Sequence, residues 1–184
     1  MSVSENSPVK TGIWLILLTI ASVLTTFALA CVTPLAAFGA LAALHMKRAE
    51  AVMLMSIVWL TSQVIGVGYL HYPYTASTLA WGGAFLISAL VCMEGAALVS
   101  RRMESAPNSV RAIGALVASM VIFKIAIYLF GMELGGNASA FKASVVINYA
   151  WTNALTFVVL LVLYHIGVAV GLVARSSGPQ PLTA

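Results

Sequence analysis

Glu94 is the residue whose chemistry calls first for an explanation. It lies inside an apolar run, roughly 10 Å from the nearer end, where an ionised carboxylate is costly and should face protein. A carboxylate there suits proton or cation coupling, or contact with a ligand; a structural hydrogen bond or a side chain reaching the interface accounts for it as well. Lys124 lies inside another apolar run, about 20 Å from the corresponding end, so the two charges differ in depth by about 10 Å and a direct ion pair between them is not expected. Lys124 is expected instead to reach outward, toward an anionic ligand, toward Glu133, or simply toward the headgroups.

A second constellation lies in the last apolar run. Asn148, Thr152 and Thr156 recur at helical spacing with Tyr149 and Asn153 beside them, a polar stripe expected to line a bundle interior. With Trp81, Tyr128, Trp151 and the aromatic cluster Tyr69, His71, Tyr72 and Tyr74, it would frame an outward-facing pocket of aromatic walls and a few amide donors. An interfacial aromatic belt plus ordinary interhelical hydrogen bonds is the alternative.

Metal and catalytic chemistry have weaker support. His45, His71 and His165 are dispersed, so a haem between two of them is not expected, and Cys31 and Cys92 lack CxxC spacing. Cys31 or His71 would suit axial donation to a cobalt-centred ligand such as cobalamin, but neither belongs to a ligand-spaced motif. The eight methionines, Met53, Met55 and Met93 among them, read as core filler. No GxxxxGK[ST], HExxH or GxSxG is present, so neither an enzyme nor a bound cofactor is expected. An intramembrane enzyme using Glu94 or Cys92 is the weakest reading. Asn137-Ala138-Ser139 matches the glycosylation acceptor pattern, which matters only in a secretory-pathway protein.

These side chains must be positioned by helices in a bilayer. Of 184 residues, 61% are hydrophobic and 8% charged, and the five acids include no Asp. A soluble domain does not have this composition. Long apolar runs rather than alternating ones favour an all-α, polytopic transmembrane bundle over a barrel. The formal charge of +4 is scattered at segment ends without interleaved aromatics, which argues against a nucleic-acid partner.

The organisation expected is a polar tail over 1–11, one transmembrane domain over 12–174 and a second tail over 175–184. The first run, 12–30, lacks a cleavage signature and reads as a retained helix. Pro34 then breaks the chain and opens a short segment, 34–45. Further segments cover 51–70, 76–100, 110–130 and 144–173. That makes six, the second short, or five if 12–45 is one kinked crossing. Lys47 and Arg48, then Arg101, Arg102 and Arg111, then Arg175 alternate with loops carrying only Lys142 or nothing basic. By the positive-inside rule those basic turns and the carboxy terminus face the cytoplasm across the inner membrane, with the YLHYPYT and glycine-rich loops outside.

The stretch TPLAAFGALAALHMKRAEAVMLMSIVWLTSQVIG resembles the second and third helices of the substrate-binding S components of energy-coupling factor vitamin transporters. That family consists of six-helix proteins of about this length. The resemblance implies uptake of a vitamin, cofactor precursor or metal-containing cofactor from the outer side, with a coupling membrane protein and ATPases as partners. It also implies a small-residue coupling surface, for which Ala36, Gly39, Ala40 and Ala43 have the spacing; the same row serves ordinary helix packing in any membrane bundle. The alternative function is a non-transporting scaffold or accessory subunit of a membrane complex.

Overall fold

Proline and glycine set most of the boundaries. In the computed structural model, which describes residues 8–28, 34–135 and 141–173, the first helix, α1 (Pro8–Ala28), opens on a proline, whose fixed φ suits a first helical position. The helix therefore begins inside the stretch expected to be polar tail. Pro34 precedes α2 (Leu35–His45), as its breaking role requires. After a two-residue turn, α3 (Arg48–Val64) begins with the Glu50 carboxylate accepting the Lys47 N–H at 3.4 Å. It runs on into a π turn, Ile65–Tyr69, that contains Gly66 and Gly68.

Thr75 caps α4 (Ala76–Arg102), its hydroxyl accepting the Thr78 N–H at 3.2 Å. Pro107 precedes α5 (Asn108–Leu134), which stops at Gly135 with φ +78°. The last helix, α6 (Ala143–Ala169), ends sooner than its apolar run. Gly171 adopts φ +72°; the Leu172 N–H donates to the Gly167 carbonyl at 2.9 Å and the Gly171 N–H to that of Val168 at 3.1 Å, a Schellman turn that closes the helix before Val173.

The described residues form an all-helical bundle of six helices with no strand. Four spans, Arg48–Tyr69, Ala76–Arg102, Asn108–Leu134 and Ala143–Ala169, are long and apolar enough to cross a membrane; the longest reach about 40 Å. Large apolar side chains such as Leu79, Ile113, Ile147 and Val158 face outward from them, as a lipid-embedded bundle requires.

Three contacts fix the helix directions. The Lys10 ammonium donates to the Gly171 carbonyl at 3.0 Å, His45 stacks on Tyr164 with ring centroids 3.8 Å apart, and Arg48 meets Glu94 at 2.6 Å. The start of α1, the end of α2, the start of α3 and the ends of α4 and α6 therefore share one end, called here the basic end. In this order α1 and α2 are separate helices that run in opposite directions.

The centre of the bundle is α2. Its sequence, LAAFGALAALH, is apolar on every side, and a helix of that kind must be buried all round. Every residue except Ala43 and His45 is buried, and α3, α4, α5 and α6 all pack on it, while α1 lies outside against α3 and α6. Alanine and glycine let the neighbours approach closely. The row Ala36, Gly39, Ala40 is thereby spent inside the bundle and Ala43 is half-buried, so these residues are packing contacts instead of an outer coupling surface.

Candidate functional site

At about 16 Å, α2 covers only half a crossing. Its first turn is tied down by two buried polar side chains. The Asn153 amide oxygen accepts the Ala37 N–H at 3.0 Å while its amide nitrogen donates to the Tyr149 carbonyl at 2.9 Å. The Ser119 hydroxyl donates to the Ala36 carbonyl at 2.8 Å. Since Asn153 lies about 15 Å along α6 from Ala143, α2 begins at mid-depth, and its positive dipole end points toward the half of the bundle opposite the basic end.

That opposite half is built from aromatic side chains on three helices. Trp81 and Phe85 on α4 have ring centroids 6.0 Å apart; Phe85 stacks on Phe123 of α5 at 6.3 Å, and Phe123 on Tyr149 of α6 at 6.1 Å. The Lys124 ammonium lies 4.7 Å from the Tyr149 ring centre and 5.3 Å from that of Phe141, where ring quadrupoles attract a cation. Tyr128 meets Phe141 edge-on at 5.2 Å. Met120, Lys124, Tyr128, Phe141 and Tyr149 line a groove of about 340 Å³ between α5 and α6. The groove offers one cation, aromatic faces and apolar walls, which suits an anionic group attached to an apolar or flat body.

The expected site residues separate into groups. Lys124, Tyr128 and Tyr149 share the groove, and Trp81 is half-buried in the ladder beside it. Thr152 and Thr156 are buried, as the stripe requires, but Asn148 and Trp151 face outward, Trp151 with 68% of its surface exposed. The reason is position along the helix: residues 141–148 are exposed on every face, and the buried polar face of α6 begins at Thr152 and Asn153.

Tyr69, His71, Tyr72 and Tyr74 are exposed in the turn after α3, His71 in a left-handed conformation with φ 58°. Tyr72 covers Gly66, where an added Cβ would come within 2.9 Å of its ring. Cys31 lies outside the described residues, and among those described no group of three or more histidine, cysteine or acidic side chains gathers around a metal-sized space.

Glu94 is 36% exposed and pairs with Arg48 on α3, whose side chain is 64% exposed, an arrangement in keeping with the structural-contact alternative. A pair this open contributes about 0–1 kcal/mol, so Glu94→Gln should change thermal unfolding in detergent by less than about 1 kcal/mol; a larger loss would mean the pair carries the α3–α4 contact.

Sequence reasoning missed Phe85, Phe123 and Trp59, whose indole N–H donates to the Gly82 carbonyl at 2.8 Å, and it gave Asn153 only a flanking part. Phe85 and Phe123 carry no signal in one dimension, because an apolar helix is expected to contain phenylalanine wherever it turns. Compared with known proteins, the chain matches no family model, no curated protein and no solved structure. Its class, a helical bundle with four membrane-length apolar helices, rests on composition and fold alone.

Proposed function

We propose that this chain is an integral membrane transport protein that binds a small solute, a vitamin, cofactor precursor or metal-containing cofactor, from the outer side for uptake. The observation that carries the reading is Lys124, its ammonium held over Tyr149 and Phe141 in a groove between α5 and α6, the two helices whose Ser119 and Asn153 hold the buried start of a half-length helix. A helix that stops at mid-depth, with its positive end directed at an aromatic and polar half-bundle, is how membrane carriers commonly build an anion-selective site. A bilayer-embedded lysine is costly enough to mark a functional position by default.

The solute class that fits has a carboxylate or phosphate on an apolar or ring-containing body. The basic end then faces the cytoplasm, by the alternation of Lys47, Arg48, Arg101, Arg102 and Arg111 with basic-poor turns, and the membrane is the inner one. With no nucleotide motif in the chain, energy would come from a coupling membrane protein with ATPase subunits, as the resemblance to S components implies.

The test is a thermal-shift screen of detergent-purified protein against carboxylated and phosphorylated vitamins, their precursors and cobalt complexes. A true ligand at a hundredfold excess over its Kd adds about 2.7 kcal/mol. Saturable stabilisation by one compound is expected. A panel without a hit, combined with stable co-purification of a membrane partner, would replace this reading with the scaffold one.

A further inference from the structure

A second groove lies near the basic end, with a lining that shares no residue with the Lys124 groove. It encloses about 610 Å³ and is lined by Arg48 and Val52 of α3, by a continuous strip of α4 from Leu90 to Arg101, and by Ile122 of α5. Its charged members, Arg48, Glu94 and Arg101, carry a net single positive charge, and the remaining lining is apolar except for Gly95. The groove is therefore amphipathic along its length: Arg101 lies in the last turn of α4, and the strip descends about 16 Å along the helix to Leu90. Arg48 meets Glu94 through Nε, one of the five N–H donors of a guanidinium.

We propose that this groove binds an anionic phospholipid, with the phosphate held between Arg48 and Arg101 and one acyl chain lying along Leu90, Val91, Leu98 and Ile122. Charge complementarity selects the headgroup, because arginine pairs with phosphate in a bidentate, directional way, and the apolar strip beneath supplies a length that a free phosphate would not use. A zwitterionic lipid brings a cation that meets the same arginines and is disfavoured. Glu94 acts as an internal competitor for Arg48, occupying the guanidinium until a lipid phosphate displaces it.

The competition gives a test with opposite signs. Lipid binding is measured by native mass spectrometry of the purified full chain titrated with phosphatidylglycerol or with phosphatidylcholine of the same chains. Phosphatidylglycerol should bind at least tenfold more tightly. Arg48→Gln and Arg101→Gln should each weaken it about tenfold, while Glu94→Gln should tighten it. Lys47→Gln and Arg102→Gln remove the same charge from the same end outside the groove and should leave the affinity within a factor of about two. Equal affinity for the two lipids would overturn the proposal, as would equal losses from all four cation variants, which would show a diffuse surface attraction. Solute binding at the Lys124 groove should be unaffected by any of these variants.

Discussion

Gly39→Leu is expected to leave little or no folded protein in detergent, whereas Gly83→Leu should be tolerated. A Cβ at Gly39 would sit 3.2 Å from the Ser119 hydroxyl, 3.3 Å from the Cys92 sulfur and 3.5 Å from the Met93 Cα, so both α4 and α5 press on the same point of α2. A single methyl would already require neighbours to give by a few tenths of an ångström; the rest of a leucine side chain has nowhere to go. Overpacking of a well-filled core typically costs 1–3 kcal/mol, and here two helices must move together, so a loss of about 3 kcal/mol or more is expected. Gly83, on the same α4, has nothing within 4 Å of its added Cβ. Fluorescence-detected size-exclusion yield and unfolding temperature would read the difference. Equal tolerance at the two sites would mean that α2 is not clamped as described.

The second large effect concerns Asn153. Asn153→Leu keeps the branched shape of the side chain but removes the acceptor for the Ala37 N–H and the donor to the Tyr149 carbonyl, both inside the bundle. Leaving buried partners unsatisfied costs about 1–3 kcal/mol, while interhelical polar contacts in a membrane protein average about 0.6 kcal/mol because the unfolded chain in lipid finds other partners. Two bonds anchored at a helix start, with the Ala37 N–H also reaching the Pro34 carbonyl at 3.0 Å, place the expected loss near 2 kcal/mol. Asn148→Leu, on the outward face of the same helix, should change stability by less than about 0.5 kcal/mol. Unfolding in a graded denaturing detergent would rank the two; a larger loss at Asn148 would reverse the assignment of the inner face of α6.

The contrast between these asparagines shows where a sequence stops being readable. Spans and their breaks follow from one-dimensional signals: the apolar run ending near Ser100 matches a helix ending at Arg102, and Pro34 opens α2 where a proline should. The burial of α2 was also implicit, since a helix apolar all round has no face to give to water. Facing within a long apolar helix is different, because lipid and protein interior are both apolar and polarity no longer separates the two sides.

A row counted at i, i+4 therefore led to Asn148, and only the neighbours of α6 reveal that Asn153 points inward. The same holds for Glu94. Its partner Arg48 lies on another helix, and matching depths along separate helices gives no angle about their axes. The π turn at Ile65–Tyr69 and the Gly171 stop became visible only through hydrogen bonds that sequence patterns leave undetermined.

The proposed binding of a small anionic solute in the groove at Lys124 can be measured in solution. Titration calorimetry tests it most directly, with the strongest carboxylated or phosphorylated compound from the vitamin panel added to purified wild type, Lys124→Gln and Glu94→Gln. Binding of one solute per chain is expected, weakened about tenfold by Lys124→Gln through loss of a charge-assisted contact and unchanged by Glu94→Gln. Saturable binding that Lys124→Gln leaves intact, or no binding by any compound of the panel, would contradict it.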